Sequence, residues 1–145
     1  RLWINTTHLN PHCGNLVFIF EAIAIKYTQK FISPEDYEDI LEKILKADEL
    51  LARIAIIDAS KEEVINSRFE CKYLYCLNKA EDFLFEGKIR YEEHKYSCAV
   101  IYYLMAWDYA QYAINWANKH CGHSKGYHST CYHWKSYHWN CYCCF

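Results

Sequence analysis

The stretch CYHWKSYHWNCYCCF, residues 131–145, holds four Cys, two His, three Tyr and two Trp, with no Leu, Ile, Val, Met or Ala. Thiolate and imidazole are the side chains that hold Zn²⁺ in small proteins. His120, Cys121, His123 and His128 lie just upstream, and His133, Cys143 and Cys144 add further ligand types. His128-x-x-Cys131 and His138-x-x-Cys141 form two short bites with six residues between them. The candidate metal set is therefore His128, Cys131, His138 and Cys141, with zinc as the cofactor they imply. The loop between the bites is shorter than in familiar zinc modules, and one ion uses fewer ligands than the segment offers.

Two other readings fit the same residues. Tyr127, Tyr132, Trp134, Tyr137 and Trp139 alternate with Lys125, Lys135 and histidines, the residue types of a base-stacking surface. Three lysines beyond Asp108 make a poor electrostatic groove, so no nucleic-acid partner is expected. The third reading is a shifted reading frame. One base later, Cys codons open Val or Ala codons, Tyr, His and Asn codons open Ile, Met or Thr codons, and Trp becomes Gly. Residues 131–144 then turn into an Ile/Val/Gly-rich run, and the parent gene is expected to encode a C-terminal membrane anchor that this chain lacks. This reading is preferred over zinc, because it accounts for the missing aliphatic residues.

Elsewhere, catalytic patterns are absent from the sequence. There is no HExxH, P-loop or GxGxxG. Glu92-Glu93-His94 lacks the Glu-x-x-His spacing of a di-iron bundle. Asp108, between Trp107 and Tyr109, is expected on a wetted edge, as most acids are. No catalytic residue and no enzyme activity are expected.

These candidates need a scaffold. At 145 residues, with 52% apolar and 23% charged residues, the chain can bury one real core. Its net charge of −2 gives no bulk drive toward polyanions. Two prolines and four glycines favour long helices. The longest apolar run, LVFIFEAIAI at 16–25, is interrupted by Glu21 and is far short of the roughly 20 residues of a membrane span. It also lacks the basic start of a signal peptide. Cys71, Cys76 and Cys98 fall in helical patterns as small apolar residues, so a reducing, cytoplasmic setting is expected. A chain that opens on Arg1 is expected to be a fragment or a processed form.

Ile19, Ile23, Tyr27 and Phe31, four apart, predict a helix over 16–32. Ser33-Pro34-Glu35-Asp36 is a helix start, and Tyr37, Ile40, Leu41, Ile44, Leu45, Leu51, Ile54 and Ala55 carry a helical stripe to about residue 57. Ser60-Lys61-Glu62-Glu63 reads as a capping box opening a third helix at Lys61, with Phe69, Tyr73, Cys76, Ala80, Phe83 and Leu84 on its apolar face. A fourth spans Tyr96–Asn118, with Gly122 able to cap its C-terminal end. The fold class predicted is all-α: an antiparallel bundle or helical-hairpin array of about four helices. Residues 1–14 form an irregular N-terminal segment, 15–118 the helical domain, and 119–145 the Cys/His/aromatic tail, out of frame or disordered.

Residues 80–113, AEDFLFEGKIRYEEHKYSCAVIYYLMAWDYAQYA, resemble one tetratricopeptide repeat, a 34-residue pair of antiparallel helices. Phe83 falls at the fourth place, Gly87 at the eighth, Ala99 at the twentieth, Tyr103 at the twenty-fourth and Ala106 at the twenty-seventh; Tyr96 fits just before the second helix. The resemblance implies that Gly87 and Ala99 let two backbones meet while Phe83 and Tyr103 fill the space beside them. Arg90 stands where an aromatic is usual, with Tyr91 one step late, and His94 takes a turn position often held by Gly. No second copy is visible upstream, where Arg53, Ile65 and Lys72 replace the small residues. The resemblance implies a binding module with another protein as partner. Arg90, Tyr91 and Tyr102 are the candidate contact residues. The hairpin is also similar to HEPN-type nucleases, which implies an RNase as a distant alternative. Their helical Arg is followed by His after four to six residues, and Arg90 to His94 is shorter than that.

Overall fold

The computed structural model describes residues 4–5, 8–9 and 14–119. The candidate zinc set, the other tail readings and the Gly122 cap lie outside the described residues. Four helices dominate: α1, Gly14–Phe31; α2, Pro34–Ser60; α3, Glu70–Glu92; and α4, Tyr96–Ala117. Within the N-terminal segment expected to be irregular, Ile4–Asn5 pairs antiparallel with His8–Leu9. No described helix is long and apolar enough to cross a membrane.

The third helix does not begin at Lys61. Ser60 is still inside α2, and its hydroxyl donates back to the Ile57 carbonyl at 2.8 Å, so it caps nothing downstream. Residues 61–66 instead run across the end of α4. The Ile65 N–H donates to the Ala117 carbonyl at 3.1 Å, and the Asn118 amide donates to the Glu62 carboxylate at 2.9 Å. These bonds satisfy polar groups that a helical continuation would have used locally. A 3-10 turn over Ser67–Phe69 follows, with the Asn66 side chain accepting from the Arg68 N–H, and α3 starts at Glu70. The Tyr73 hydroxyl then donates to the Ala59 carbonyl at 3.0 Å, tying the start of α3 to the end of α2.

The α3–α4 turn closes as a Schellman motif. The His94 N–H donates to the Tyr91 carbonyl and the Lys95 N–H to the Arg90 carbonyl. Such a motif needs one left-handed residue, and His94 supplies it with φ 59°. That is why Gly is usual there and why His, without a β-branch, is tolerated.

α4 is the central helix, and α1, α2 and α3 all pack on it. Ala99, Ala106, Ala110, Ala113 and Ala117 are fully buried along its length, which lets three neighbours approach. α1 docks through Phe18, Ala22 and Ile25, with Phe18 set against Trp107 at 6.2 Å between ring centroids. α2 contributes Tyr37, Leu41, Leu45, Ala52, Ala55, Ile56 and Ala59, and α3 contributes Tyr73, Cys76 and Ala80.

Cys71 is exposed, whereas Cys76 and Cys98 are buried, and burial pushes the Cys76 thiol above its ordinary value. Iodoacetamide labelling mapped by mass spectrometry is therefore expected to modify Cys71 in the native protein. Cys76 and Cys98 are expected to react only in denaturant.

Candidate interaction surface

The hairpin residues of the tetratricopeptide-like pattern come together as follows. A side chain at Gly87 would meet the Tyr103 ring, with a built Cβ only 2.5 Å from Cε1 and 2.6 Å from Cδ1. The space over Gly87 is thus filled by an aromatic ring from α4. Ala99 and Ala106 of α4 are fully buried. Phe83 is half-buried against Tyr102 at 6.2 Å and Tyr109 at 5.3 Å, and Tyr96 packs at a tilt against Tyr91 at 5.9 Å.

The three candidate contact residues lie at the turn end of this hairpin and are engaged within the chain. Arg90 donates to Glu93 at 2.8 Å and to Glu86 at 3.5 Å, and its guanidinium lies 5.7 Å from the Tyr102 ring centroid. Lys95 also reaches Glu93 at 3.0 Å. Both cations hold the Glu93 carboxyl below its usual value. Tyr91 and Tyr102 are half-buried. His94 shares a 2.7 Å hydrogen bond with the Tyr96 hydroxyl, so its imidazole and the Arg90 guanidinium are committed to different partners. Beside this end a cleft of about 280 Å³ opens between α2 and the hairpin, lined by Glu38, Asp39, Leu41, Glu42, Tyr91 and Tyr96. Burial, reinforced by Glu38 and the other acidic groups nearby, raises the Tyr96 hydroxyl.

Asp108 on α4 is only partly open to water, and loss of water pushes its carboxyl up to about 7. The Tyr112 hydroxyl, one helical turn on and raised first by burial, lies near enough to Asp108 to be raised by its charge as well.

A second carboxyl site was not foreseen. Asp48 on α2 is only 2% exposed and lies beside Glu21 of α1. One oxygen of each, Asp48 Oδ2 and Glu21 Oε2, is buried without a hydrogen-bond partner. Burial and the neighbouring Glu21 push Asp48 up to about 9, and burial raises Glu21 as well. Two carboxyls this close, one of them buried, favour sharing a proton over carrying two negative charges. Among the described residues, no three His, Cys, Asp or Glu side chains gather to hold a metal ion. The sequence signal was Glu21 interrupting an apolar run; Asp48 sits in register with the apolar stripe of α2.

The predicted helix at 16–32 is present, but of the four-apart set that signalled it only Ile19 packs against the core and the other three face outward. Ile23, Tyr27 and Phe31 are 48%, 62% and 72% exposed, and Leu16 and Ile32 are exposed as well. Phe20 has an interaction of its own within the chain and is still 54% exposed. Across its 18 residues α1 carries only Glu21, Lys26 and Lys30 as charges. A helix apolar on all sides is normally covered on all sides, and the described residues cover the α1 face that meets α4. The other helices expose apolar residues in a different setting. Ile40, Leu50 and Ile57 on α2 alternate with Lys43, Lys46 and Arg53, which pair with Asp39, Glu42 and Glu49. Leu74, Tyr75 and Phe85 on α3 are separated by the Lys79–Asp82 pair.

No family model, curated protein or solved structure matches the chain.

Proposed function

We propose that the chain is a non-enzymatic protein-interaction module built on a tetratricopeptide-like α3–α4 hairpin, with the outer face of α1 as its docking surface. The observation that carries this reading is the run of exposed apolar residues at helical spacing on α1: Leu16, Ile23, Tyr27 and Phe31. A contiguous apolar strip of this kind on an otherwise charged surface marks a contact site. The hairpin and α2 serve as the rigid support, and α1 is the element presented. The reading includes a cytoplasmic setting, in keeping with Cys76 and Cys98 serving as small buried side chains.

The test is gel filtration of extracts from cells expressing either the wild type or Ile23→Glu/Tyr27→Glu. Both sites are surface positions, so the double variant is expected to keep its helicity. The wild type is expected to elute well above its own 17.4 kDa and the variant at monomer size. Identical elution of the two would refute the reading.

A further inference from the structure

We infer that the outer face of α1 pairs with the same face of a second copy of this chain, antiparallel and about a two-fold axis between Ile23 and Ala24. The inference rests on the interaction-module reading and names the partner. Its first support is the spacing. The exposed apolar positions of α1 are Leu16, Phe20, Ile23, Ala24, Tyr27 and Phe31. Reversed about the midpoint of Ile23 and Ala24, the set maps onto itself: Leu16 falls opposite Phe31, Phe20 opposite Tyr27, and Ile23 opposite Ala24. An isologous contact requires such a self-complementary patch. Large residues meet large ones along the flanks, and the one small residue, Ala24, sits at the crossing, where the two helices must come closest.

Charge supports the same direction. A parallel pair would stack Lys26 on Lys26 and Lys30 on Lys30. The antiparallel pair separates these like charges along the contact. The area is also sufficient. Large aromatic side chains bury roughly 150–250 Å² each. On that scale the uncovered parts of Leu16, Phe20, Ile23, Tyr27 and Phe31 come to roughly 550 Å² per chain, or about 1,100 Å² in the pair. Stable specific interfaces begin at about that size.

Sedimentation equilibrium of the purified chain up to about 100 μM is expected to fit a monomer–dimer equilibrium based on 17.4 kDa. Ile23→Glu sets two carboxylates beside the axis, so Ile23→Glu/Tyr27→Glu is expected to weaken dimerisation at least 100-fold, whereas Ile40→Glu on α2 leaves it unchanged. A second measurement keeps near-native packing: a photoreactive benzophenone side chain replaces Tyr27 in a mixture of isotopically light and heavy chains. Light–heavy crosslinks are expected in the peptide around Phe20. Monomeric sedimentation throughout, equal affinities for the double variant and wild type, or crosslinks mapping away from α1 would each overturn the inference. A purified monomer with a large assembly in extract would overturn the second copy as partner and leave the interaction-module reading standing. Monomers in both, or a monomer recovered only with membranes, would end both.

Discussion

Gly87→Leu is expected to lower the unfolding free energy by about 3 kcal/mol, measured by urea denaturation with the denaturant slope held constant. A built Cβ alone lies 2.5 Å from the Tyr103 ring, and Tyr103 is 1% exposed, so the ring has nowhere to swing. The gain in helix propensity from replacing Gly, about 1 kcal/mol, is smaller than the cost of forcing a buried aromatic out of place. Tyr103→Ala alone is expected to cost about 3–5 kcal/mol through the cavity it leaves. The double variant distinguishes a local clash from general damage. The introduced leucine side chain can occupy the space that the ring vacates, so the double variant is expected to be more stable than the sum of the single changes by at least about 1 kcal/mol. Additive losses would mean that Gly87 is not there to seat the ring.

Asp48→Asn is expected to raise stability at about pH 8 by at least about 1.4 kcal/mol, the value of one pKa unit, and to weaken the dependence of stability on pH. The sign follows from the buried pair. Unfolded, Asp48 ionises near 3.8; folded, its carboxyl is pushed up to about 9 by burial and by Glu21. Between those values the folded state binds more protons than the unfolded state, so stability falls as pH rises. The groups that face the pair are Glu21 from α1 and the Tyr103 hydroxyl from α4, and neither supplies a positive charge. Glu49, next to Asp48 on α2, pairs outward with Lys88 and Arg53. An amide at 48 can donate to Glu21 without needing a proton. Thermal melts of wild type and variant at about pH 5 and pH 8 check this. A wild-type melting temperature that climbs over that interval would refute the shared-proton account. Asp108, pushed up to about 7, adds a smaller loss in the same direction and remains in the variant.

Much of the scaffold was readable because its signals were local. Pro34 at a helix start, the apolar period of α2 and the small residues of the hairpin each constrain a few neighbouring positions, and the helices lie where those signals put them. The start of α3 was misplaced because Ser60-x-x-Glu63 is also what the last turn of a long helix can contain. The choice was made by Ala117 and Asn118, more than 50 residues away, which supply hydrogen-bond partners to the connector. The face of α1 was harder still. Phe18, Ala22 and Ile25 on one side and Ile23, Tyr27 and Phe31 on the other have the same period, so periodicity identifies the helix and leaves its orientation open. Asp48 was invisible for a related reason. In sequence it is one acid among seventeen between Glu35 and Asp108, and only the approach of Glu21 from another helix makes it unusual.

Hydroxyl-radical footprinting reads out whether the outer face of α1 is covered in the assembled protein. Two internal standards are available: Tyr75 and Phe85 on α3 are 57% and 64% exposed, close to the 62% of Tyr27 and the 72% of Phe31. The expected result is that Tyr27 and Phe31 are modified several-fold more slowly than Tyr75 and Phe85 at high protein concentration, and that the difference disappears on dilution. Equal modification of all four residues at every concentration would mean that this face is not covered.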